Sequence, residues 1–173
     1  AEEEQINCWQ LNVDGTKNMV LAAGERRFIY ISTDYVFDGE RGGYDEESQP
    51  NPVNFYGFTK YLGEIIVSNY PNTLILRAPF REKKWRYKKA FVDQFTSCKF
   101  APERAREIIE VARGKHLGIL NLTGKRRSIY SMAKIVSPKI GKISIKDLPV
   151  KLPRDVSLKS IFVKTRQKQK SVL

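Results

Sequence analysis

The feature that most constrains the fold is a pair of short apolar runs separated by one helical segment. Residues 27–32 and 73–77 are rich in β-branched, aromatic and leucine side chains and have the length of buried strands. Between them, residues 56–70 carry apolar side chains at helical spacing, and Pro71 ends the pattern. Strands that alternate with helices in this way predict an α/β fold with a parallel sheet.

Further elements extend this unit on both sides. Residues 8–23 repeat apolar side chains at helical spacing, and Gly24 stands where a helix C-cap is expected. The pattern weakens after Pro79, and the lysine-rich residues 138–173 predict no clear element. The predictions for the second half are helices over 104–111 and 128–136 and a strand over 118–122.

Charge is divided unevenly along the chain. Residues 1–80 hold 6 Lys and Arg against 12 Asp and Glu, whereas residues 81–173 hold 25 against 7. The second half is therefore where an anionic partner is expected. Residues 81–89 mix basic and aromatic side chains, which suits nucleic acid, a diphosphate-containing small molecule or a solvated basic face.

The candidate catalytic residues follow the first predicted strand. Thr33 stands at its carboxyl end, where open parallel sheets bind ligands, and Tyr56 and Lys60 share one face of the next helix. An ammonium group beside a phenol lowers the phenol pKa from its usual value of about 10, which makes the phenol a better acid–base catalyst. A threonine hydroxyl can hydrogen-bond a carbonyl oxygen as negative charge develops on it. The set suits carbonyl reduction, although a Tyr-x-x-x-Lys spacing by itself is more often a surface pair.

Several segments, in order, carry a resemblance to a known family. They are 11–16, 31–39, 44–46, 50–52, 56–60 and 63–64, with looser matches over 93–97 and 152–158. On these segments the chain resembles the extended short-chain dehydrogenase/reductase family, and within it the dTDP-4-dehydrorhamnose reductase group, most specifically down to Arg77. The resemblance implies a Rossmann-like doubly wound parallel sheet with a smaller C-terminal substrate lobe. Residues 1–80 would belong to the nucleotide-binding domain, and residues 81–173 would include the lobe.

The resemblance assigns roles to the matching positions. Thr33 contacts the substrate carbonyl, Tyr56 donates the proton, and Lys60 tunes Tyr56 and binds the nicotinamide ribose. The implied cofactor is NADP(H) or NAD(H), and the implied reaction reduces the 4-keto group of dTDP-4-dehydro-6-deoxy-L-mannose to dTDP-L-rhamnose. The other implied positions are Asn12 and Ser32 on the cofactor side and Asp34, Tyr35 and Arg154 on the substrate side.

The sequence departs from the family at its start and after Arg77. The family begins with a strand, a glycine-rich phosphate turn and a helix, and nothing in this chain matches them. We therefore expect the N-terminal βαβ unit to be missing, together with the residue that separates NAD from NADP. The connection between Arg77 and Asp93 is also shorter than in the family, which weakens an interpretation of residues 81–89 as a nucleic-acid surface.

Alternative functions stay open at this point. The same sub-family includes the regulatory subunit of methionine adenosyltransferase, a non-catalytic binding protein, and a reductase or epimerase acting on another nucleotide sugar is a further option. A homodimer is compatible with the resemblance.

Compartment and metal binding follow from simpler features. The apolar runs are far shorter than the roughly 20 residues of a membrane helix, and the acidic start does not resemble a signal peptide. Cys8 and Cys98 lack metal-ligand spacing and are too few for a disulfide scaffold. His116 has no partner at the spacing of a metal site or a triad. We expect a cytoplasmic protein without a metal.

Overall fold

A computed structural model describes residues 4–149 and 152–162. The first half contains α1 (Gln5–Trp9), one π-helical turn (Gln10–Asp14), α2 (Gly15–Ala23), β1 (Phe28–Ser32), a 3₁₀ turn (Asp34–Val36), α3 (Phe55–Ser68) and β2 (Thr73–Arg77). The second half contains β3 (Phe80–Arg81), β4 (Lys89–Phe91), β5 (Phe95–Thr96), β6 (Lys99–Phe100), α4 (Ala101–Ala112), β7 (Gly118–Asn121), β8 (Arg127–Ser128), α5 (Ile129–Val136), β9 (Gly141–Ile143) and a 3₁₀ turn (Ile145–Asp147).

The main sheet is parallel, as predicted. Its strand order is β1-β2-β7, with Phe28 opposite Thr73 and Ser32 opposite Arg77. All five residues of the central strand β2 are buried, because helices cover both faces of the sheet. Within the described residues β1 is the first strand of the chain, and α1 and α2 precede it.

The core shows how the helices are divided between the two faces. Val20 of α2 and Val67 of α3 pack with Tyr30 and Ile75 on one face. On the other face, the core consists of alternate residues of β2 and β7 packed against α4. This is the doubly wound arrangement expected from the sequence, and it leaves the carboxyl ends of β1 and β2 free to build a site.

The helix predicted over 8–23 contains a departure from regular geometry. Its backbone widens into a π-helical turn over Gln10–Asp14, and the helix ends before Gly24, whose positive φ of 56° fits the predicted cap. The helix predicted over 104–111 begins earlier, at Ala101, because Pro102 is well placed in a first turn. Neither difference alters the topology.

A smaller lobe of short strand pairs lies beyond the sheet. The pairs are β3–β6, β4–β9 and β5–β8. Ala90, Ile129, Ala133 and Ile140 form the centre of this lobe, where α5 packs on β4. The lobe faces the carboxyl edge of the main sheet, since residues of both line the same cavity.

Two segments far apart in sequence are bound together beside the sheet. Tyr44, in the cover loop (residues 38–46), donates its N–H to Ser157 O at 3.0 Å and accepts from Lys159 N at 2.8 Å. These partners belong to the C-terminal strap (residues 152–162). The buried Asn121 at the end of β7 donates to the carbonyls of both Tyr44 and Lys159. Cover loop, strap and sheet are thus one hydrogen-bonded unit.

In the part of the chain that the structure describes, no helix combines the length and the apolar content that a membrane span requires.

Candidate active site

The start of α3 places Tyr56 against the turn that follows β1. Asn54 caps the helix by accepting the N–H of Gly57 at 2.7 Å. A Cβ at position 57 would lie far inside van der Waals contact with the carbonyl oxygen of Tyr35. Only glycine permits this approach, so Tyr56 in the first turn is held close to the residues after β1.

Thr33 begins the 3₁₀ turn after β1 and is buried. Its Oγ1 accepts the N–H of Tyr35 at 3.3 Å and donates to Asp34 Oδ1 at 3.2 Å. Thr33, Asp34 and Tyr56 line one cavity of about 190 Å³, which the lobe closes with residues from β5 and the strap. The structure therefore brings together the predicted carbonyl contact and the predicted proton donor.

Thr33 and Tyr56 face the same cavity, and groups around it shift the pKa of the Tyr56 phenol. Burial raises the pKa of Tyr56, the nearby Asp34 raises it further, and the hydrogen bond with Thr33 opposes them. The ring of Tyr35 stands edge-on to that of Tyr56, with centroids 6.3 Å apart. The sequence predicted that Lys60 would lower the pKa of Tyr56, but in the structure the pKa is raised, because burial outweighs the favourable groups.

Lys60 lies one turn beyond Tyr56 and points at an aromatic face. Its Nζ is 4.0 Å from the centroid of the Tyr30 ring. Burial lowers the pKa of Lys60 to about 8, although Glu64 and Cys8 oppose that shift. Within the described residues no carboxylate lies at ion-pair distance from Lys60, so its ammonium group is available to a ligand.

Asn12 lies inside the π-helical turn and contacts the same helix as Tyr56. Its Nδ2 donates to Thr59 Oγ1 at 3.0 Å and to Cys8 Sγ at 3.4 Å. Its carbonyl oxygen accepts from Thr16 Oγ1 at 2.6 Å. π-Helical turns occur often at functional sites. Here the turn places Asn12 against Thr59 of α3, three residues after Tyr56.

Ser32 ends β1 next to Thr33 and is buried. Its Oγ has no hydrogen-bond partner among the described residues. A buried hydroxyl without a partner is uncommon in folded proteins, and it is free to hydrogen-bond a bound group. Ser32 therefore fits a position that contacts a bound group.

Asp34 and Tyr35 occupy the cavity wall nearest the lobe. Thr96 Oγ1 donates to Asp34 Oδ2 at 2.9 Å, and burial raises the pKa of Asp34 despite this bond and the charge of Arg81. Burial also raises the pKa of Tyr35, whose hydroxyl is hydrogen-bonded to Arg81. Both residues face the cavity, as the substrate-side prediction requires.

Arg154 is not brought to the cavity by these contacts. Its side chain is exposed and lines none of the three cavities of this region, while its backbone carbonyl accepts from Phe95 N at 2.7 Å. The neighbouring Val156 and Leu152 are the strap residues that line cavities. A substrate contact by Arg154 stays a prediction.

Sequence reasoning missed several cavity residues of the second half. Their signals were indirect, namely the basic and aromatic run over 81–89 and the loose matches over 93–97 and 152–158. They reach the site because β3 and β5 lie beside the carboxyl edge of the main sheet. The missed residues are Arg81, Phe95, Thr96, Cys98, Ile129 and Val156.

The comparison with protein families gives one match. The family described as the RmlD substrate binding domain matches residues 1–113. The matched span contains the whole Thr33, Tyr56 and Lys60 set together with the cavity residues of β3 and β5.

Two curated relatives each match less than half of the chain. The methionine adenosyltransferase 2 subunit beta of Danio rerio is 46% identical over 80 residues, which is 46% of this chain and 25% of the relative. A probable low-salt glycan biosynthesis reductase of Haloferax volcanii is 47% identical over 74 residues, which is 39% of this chain and 25% of the relative. The aligned part of the chain thus spans about a quarter of the length of these curated relatives.

Solved structures match nearly the whole chain. A hypothetical dTDP-4-dehydrorhamnose reductase of Sulfolobus tokodaii is 28% identical with a TM-score of 0.82, covering 95% of this chain and 67% of that one. The dTDP-4-dehydrorhamnose reductase of Bacillus anthracis, solved with NADP, is 23% identical with a TM-score of 0.83, covering 96% and 69%. The second likeness is evidence for the fold alone.

Proposed function

Because the chain belongs to the RmlD substrate binding domain family, we propose that it carries the carbonyl-reducing site of a nicotinamide-dependent reductase. The observation that supports this most directly is that Thr33 and Tyr56 line one cavity, where the Thr33 hydroxyl lowers the pKa of Tyr56 by hydrogen bonding. A carbonyl oxygen bound between them would accept hydrogen bonds from both if the Thr33 hydroxyl turned towards it from Asp34 Oδ1. The cavity lies at the carboxyl edge of a parallel sheet, where such folds bind ligands.

The proposed chemistry assigns one task to each side chain. When bound, a reduced nicotinamide cofactor supplies the hydride that the carbonyl carbon accepts. The C=O π bond then opens, and the oxygen takes the proton of Tyr56 to give an alcohol. Thr33 stabilises the developing negative charge on that oxygen by hydrogen bonding. The charge of a protonated Lys60 would favour the tyrosinate, and its pKa of about 8 suits return of a proton to Tyr56 near neutral pH.

The cofactor residues on the chain fit the nicotinamide end. Ser32 offers a buried hydroxyl without a partner, and Lys60 offers an ammonium group that no carboxylate of the described residues neutralises. Both can bind hydroxyl or amide groups of NADP(H) or NAD(H). Asn12 would hold α3 and thereby Tyr56 in place. The Bacillus anthracis relative, which was solved with NADP, supports this choice of cofactor class.

The proposed substrate is a nucleotide-linked 4-keto sugar. Our choice is dTDP-4-dehydro-6-deoxy-L-mannose, reduced to dTDP-L-rhamnose, because the two structural relatives described above are dTDP-4-dehydrorhamnose reductases. Residues 1–80 would carry the nucleotide-binding part and residues 81–173 the substrate lobe, part of which lies outside the described residues. A homodimer remains part of the proposal.

A second function is supported by a different observation. Several curated relatives, at 46% and 48% identity, are the beta subunit of methionine adenosyltransferase 2. The raised pKa of Tyr56 also makes it a weaker acid than the family mechanism favours. In this alternative the chain binds a synthetase as a regulatory partner, and Thr33, Tyr56 and Lys60 only bind ligand.

The decisive experiment is Tyr56→Phe. The variant loses the proton donor and should reduce NAD(P)H-dependent turnover of a dTDP-4-keto sugar by about 10²–10⁴-fold with little change in the fold. Tyr61→Phe on the same helix is the matched control and should keep its turnover. Equal turnover in the Tyr56 variant and the wild type would refute the assignment of Tyr56 as the proton donor of a reductase. Absence of turnover in the wild type, with co-purification of a synthetase, would favour the regulatory alternative.

A further inference from the structure

The ammonium group of Lys60 rests on the ring of Tyr30, a residue outside the Thr33, Tyr56 and Lys60 set. Lys60 Nζ lies 4.0 Å from the ring centroid, and Tyr30 itself is buried in β1. The face of an aromatic ring attracts a cation within about 6 Å of its centroid, and the attraction is strongest where water is excluded. The contact is therefore an interaction with the charge of Lys60 as well as a packing contact.

Tyr30 holds both ends of the lysine residue. Its ring packs in the core between the sheet and the helices α2 and α3, while its hydroxyl donates to the backbone carbonyl of Lys60 at 3.3 Å. Gly63 leaves room for that hydroxyl, because a Cβ at this position would lie 2.1 Å from it. The backbone of Lys60 is thus bound to the hydroxyl and its ammonium to the ring face. A flexible lysine side chain is folded back over a fixed surface.

This surface lies on the cofactor side of β1. Tyr30 and Ser32 are two positions apart on the strand, so their side chains lie on the same face of the sheet, about 7 Å apart along the chain. The Ser32 hydroxyl is buried and has no hydrogen-bond partner among the described residues. An ammonium held over the Tyr30 ring therefore shares a face of the sheet with a hydroxyl that is free to bind the same ligand.

Few groups favour the charged form of Lys60. Burial is the largest influence and lowers its pKa to about 8, whereas Glu64 on α3 and Cys8 on α1 oppose the shift. Glu64 is itself bound to Arg77, which neutralises much of its charge. Burial raises the pKa of the Tyr30 phenol, so the ring stays neutral and presents an electron-rich face to the ammonium.

We infer that Tyr30 is a positioning residue of the site, whose ring face keeps the Lys60 ammonium charged and directed to the Ser32 side of β1. Removing electron density from the ring would weaken the hold on the ammonium without changing the shape of the core. The inference rests on the proposed function for the ligand that Lys60 meets. The contact itself can be tested without turnover.

The test is a graded series at position 30. Tyr30→Phe is followed by phenylalanines that carry two and three ring fluorines, which withdraw electron density from the ring face and keep its shape. An NMR titration of labelled lysine, with Lys60→Met to assign the signal, measures the proton affinity of Lys60. That affinity should fall stepwise, by about five- to tenfold over the series. The matched control is the same series at Tyr70, which packs on the same core cluster but has no cation over its ring among the described residues.

A second measurement needs no variant. In the wild type, the ring current of Tyr30 should shift the ε-methylene protons of Lys60 upfield of their ordinary position. Ordinary shifts, an unchanged proton affinity across the Tyr30 series or an equal fall in the Tyr70 series overturns the inference. A graded fall confined to the Tyr30 series supports it even in a chain without reductase turnover, which would refute the proposed function alone. In a chain with turnover, the limb of the pH profile that reports Lys60 should move to lower pH by the same factor.

Discussion

Replacing Lys60 with methionine is expected to stabilise the folded chain at neutral pH. The pKa of Lys60 is about 8 in the folded chain instead of 10.5, so protonation costs about 3 kcal/mol more in the folded chain than in the unfolded one. Methionine has a similar length and carries no charge. The variant loses the contact between the ammonium and the Tyr30 ring, and this loss cancels about 1 kcal/mol of the gain in stability. The net gain at pH 7 is therefore about 2 kcal/mol.

The sign of the effect follows from proton binding. Between pH 8 and pH 10.5 the unfolded chain binds more protons at Lys60 than the folded chain does, so wild-type stability rises with pH across that window. Below pH 8 the full penalty is present. The advantage of the methionine variant should accordingly be largest at pH 7 and should shrink towards pH 10.5.

Urea unfolding of wild type and variant at pH 7 and pH 10 measures the difference. Lys17→Met is the matched control, because Lys17 is exposed on α2 and the change removes the same charge without a buried ammonium group. A Lys60 variant that is less stable than the wild type at pH 7, or that gains equally at both pH values, would refute the reasoning. A confirmed gain would mean that Lys60 lowers the stability of the folded chain, as functional residues often do.

Two further substitutions test the packing that holds the site. Glu64→Gln breaks a buried pair in which Arg77 donates to the carboxylate at 2.7 Å. It should lower the unfolding free energy by about 3–5 kcal/mol. Glu82→Gln breaks an exposed pair and should change the unfolding free energy by less than about 1 kcal/mol. Equal effects of the two would contradict burial as the cause. Gly57→Ala forces a methyl group onto the carbonyl of Tyr35 and should cost about 1–3 kcal/mol in urea unfolding; an unchanged midpoint would show that α3 moves freely.

The sequence predicted the first half of the fold well because that half follows local rules. Buried parallel strands appear as short apolar runs, and the helix between them shows a 3.6-residue period. The resemblance to the reductase family is confirmed by the family match over residues 1–113. The sequence could pair Thr33 with Tyr56 because Thr33 follows the end of a strand and Tyr56 lies at the start of the next long helix.

The rest could not be predicted because it depends on contacts between distant segments. Arg81 and Thr96 enter the site through short strands without a periodic pattern, and a single π-helical turn around Asn12 leaves the apolar spacing almost unchanged. The direction of the Tyr56 pKa depends on burial by the lobe, which spacing on α3 cannot reveal. Arg154 matched a motif, but its neighbours supply the cavity wall instead.

The hydrogen bonds between the cover loop and the C-terminal strap determine the order in which these parts of the fold form. Gly43 and Ser157, which are joined by a hydrogen bond, are 114 positions apart, as are Glu46 and Ser160. Contacts of such separation form late, since the entropy of closing a long loop opposes them until the intervening elements are in place. During synthesis from the N-terminus, Thr33 and Tyr56 therefore emerge long before the strap that completes their surroundings. The two hydroxyl-bearing residues come first, and the strap residue Val156, which completes the cavity wall around them, follows much later in synthesis.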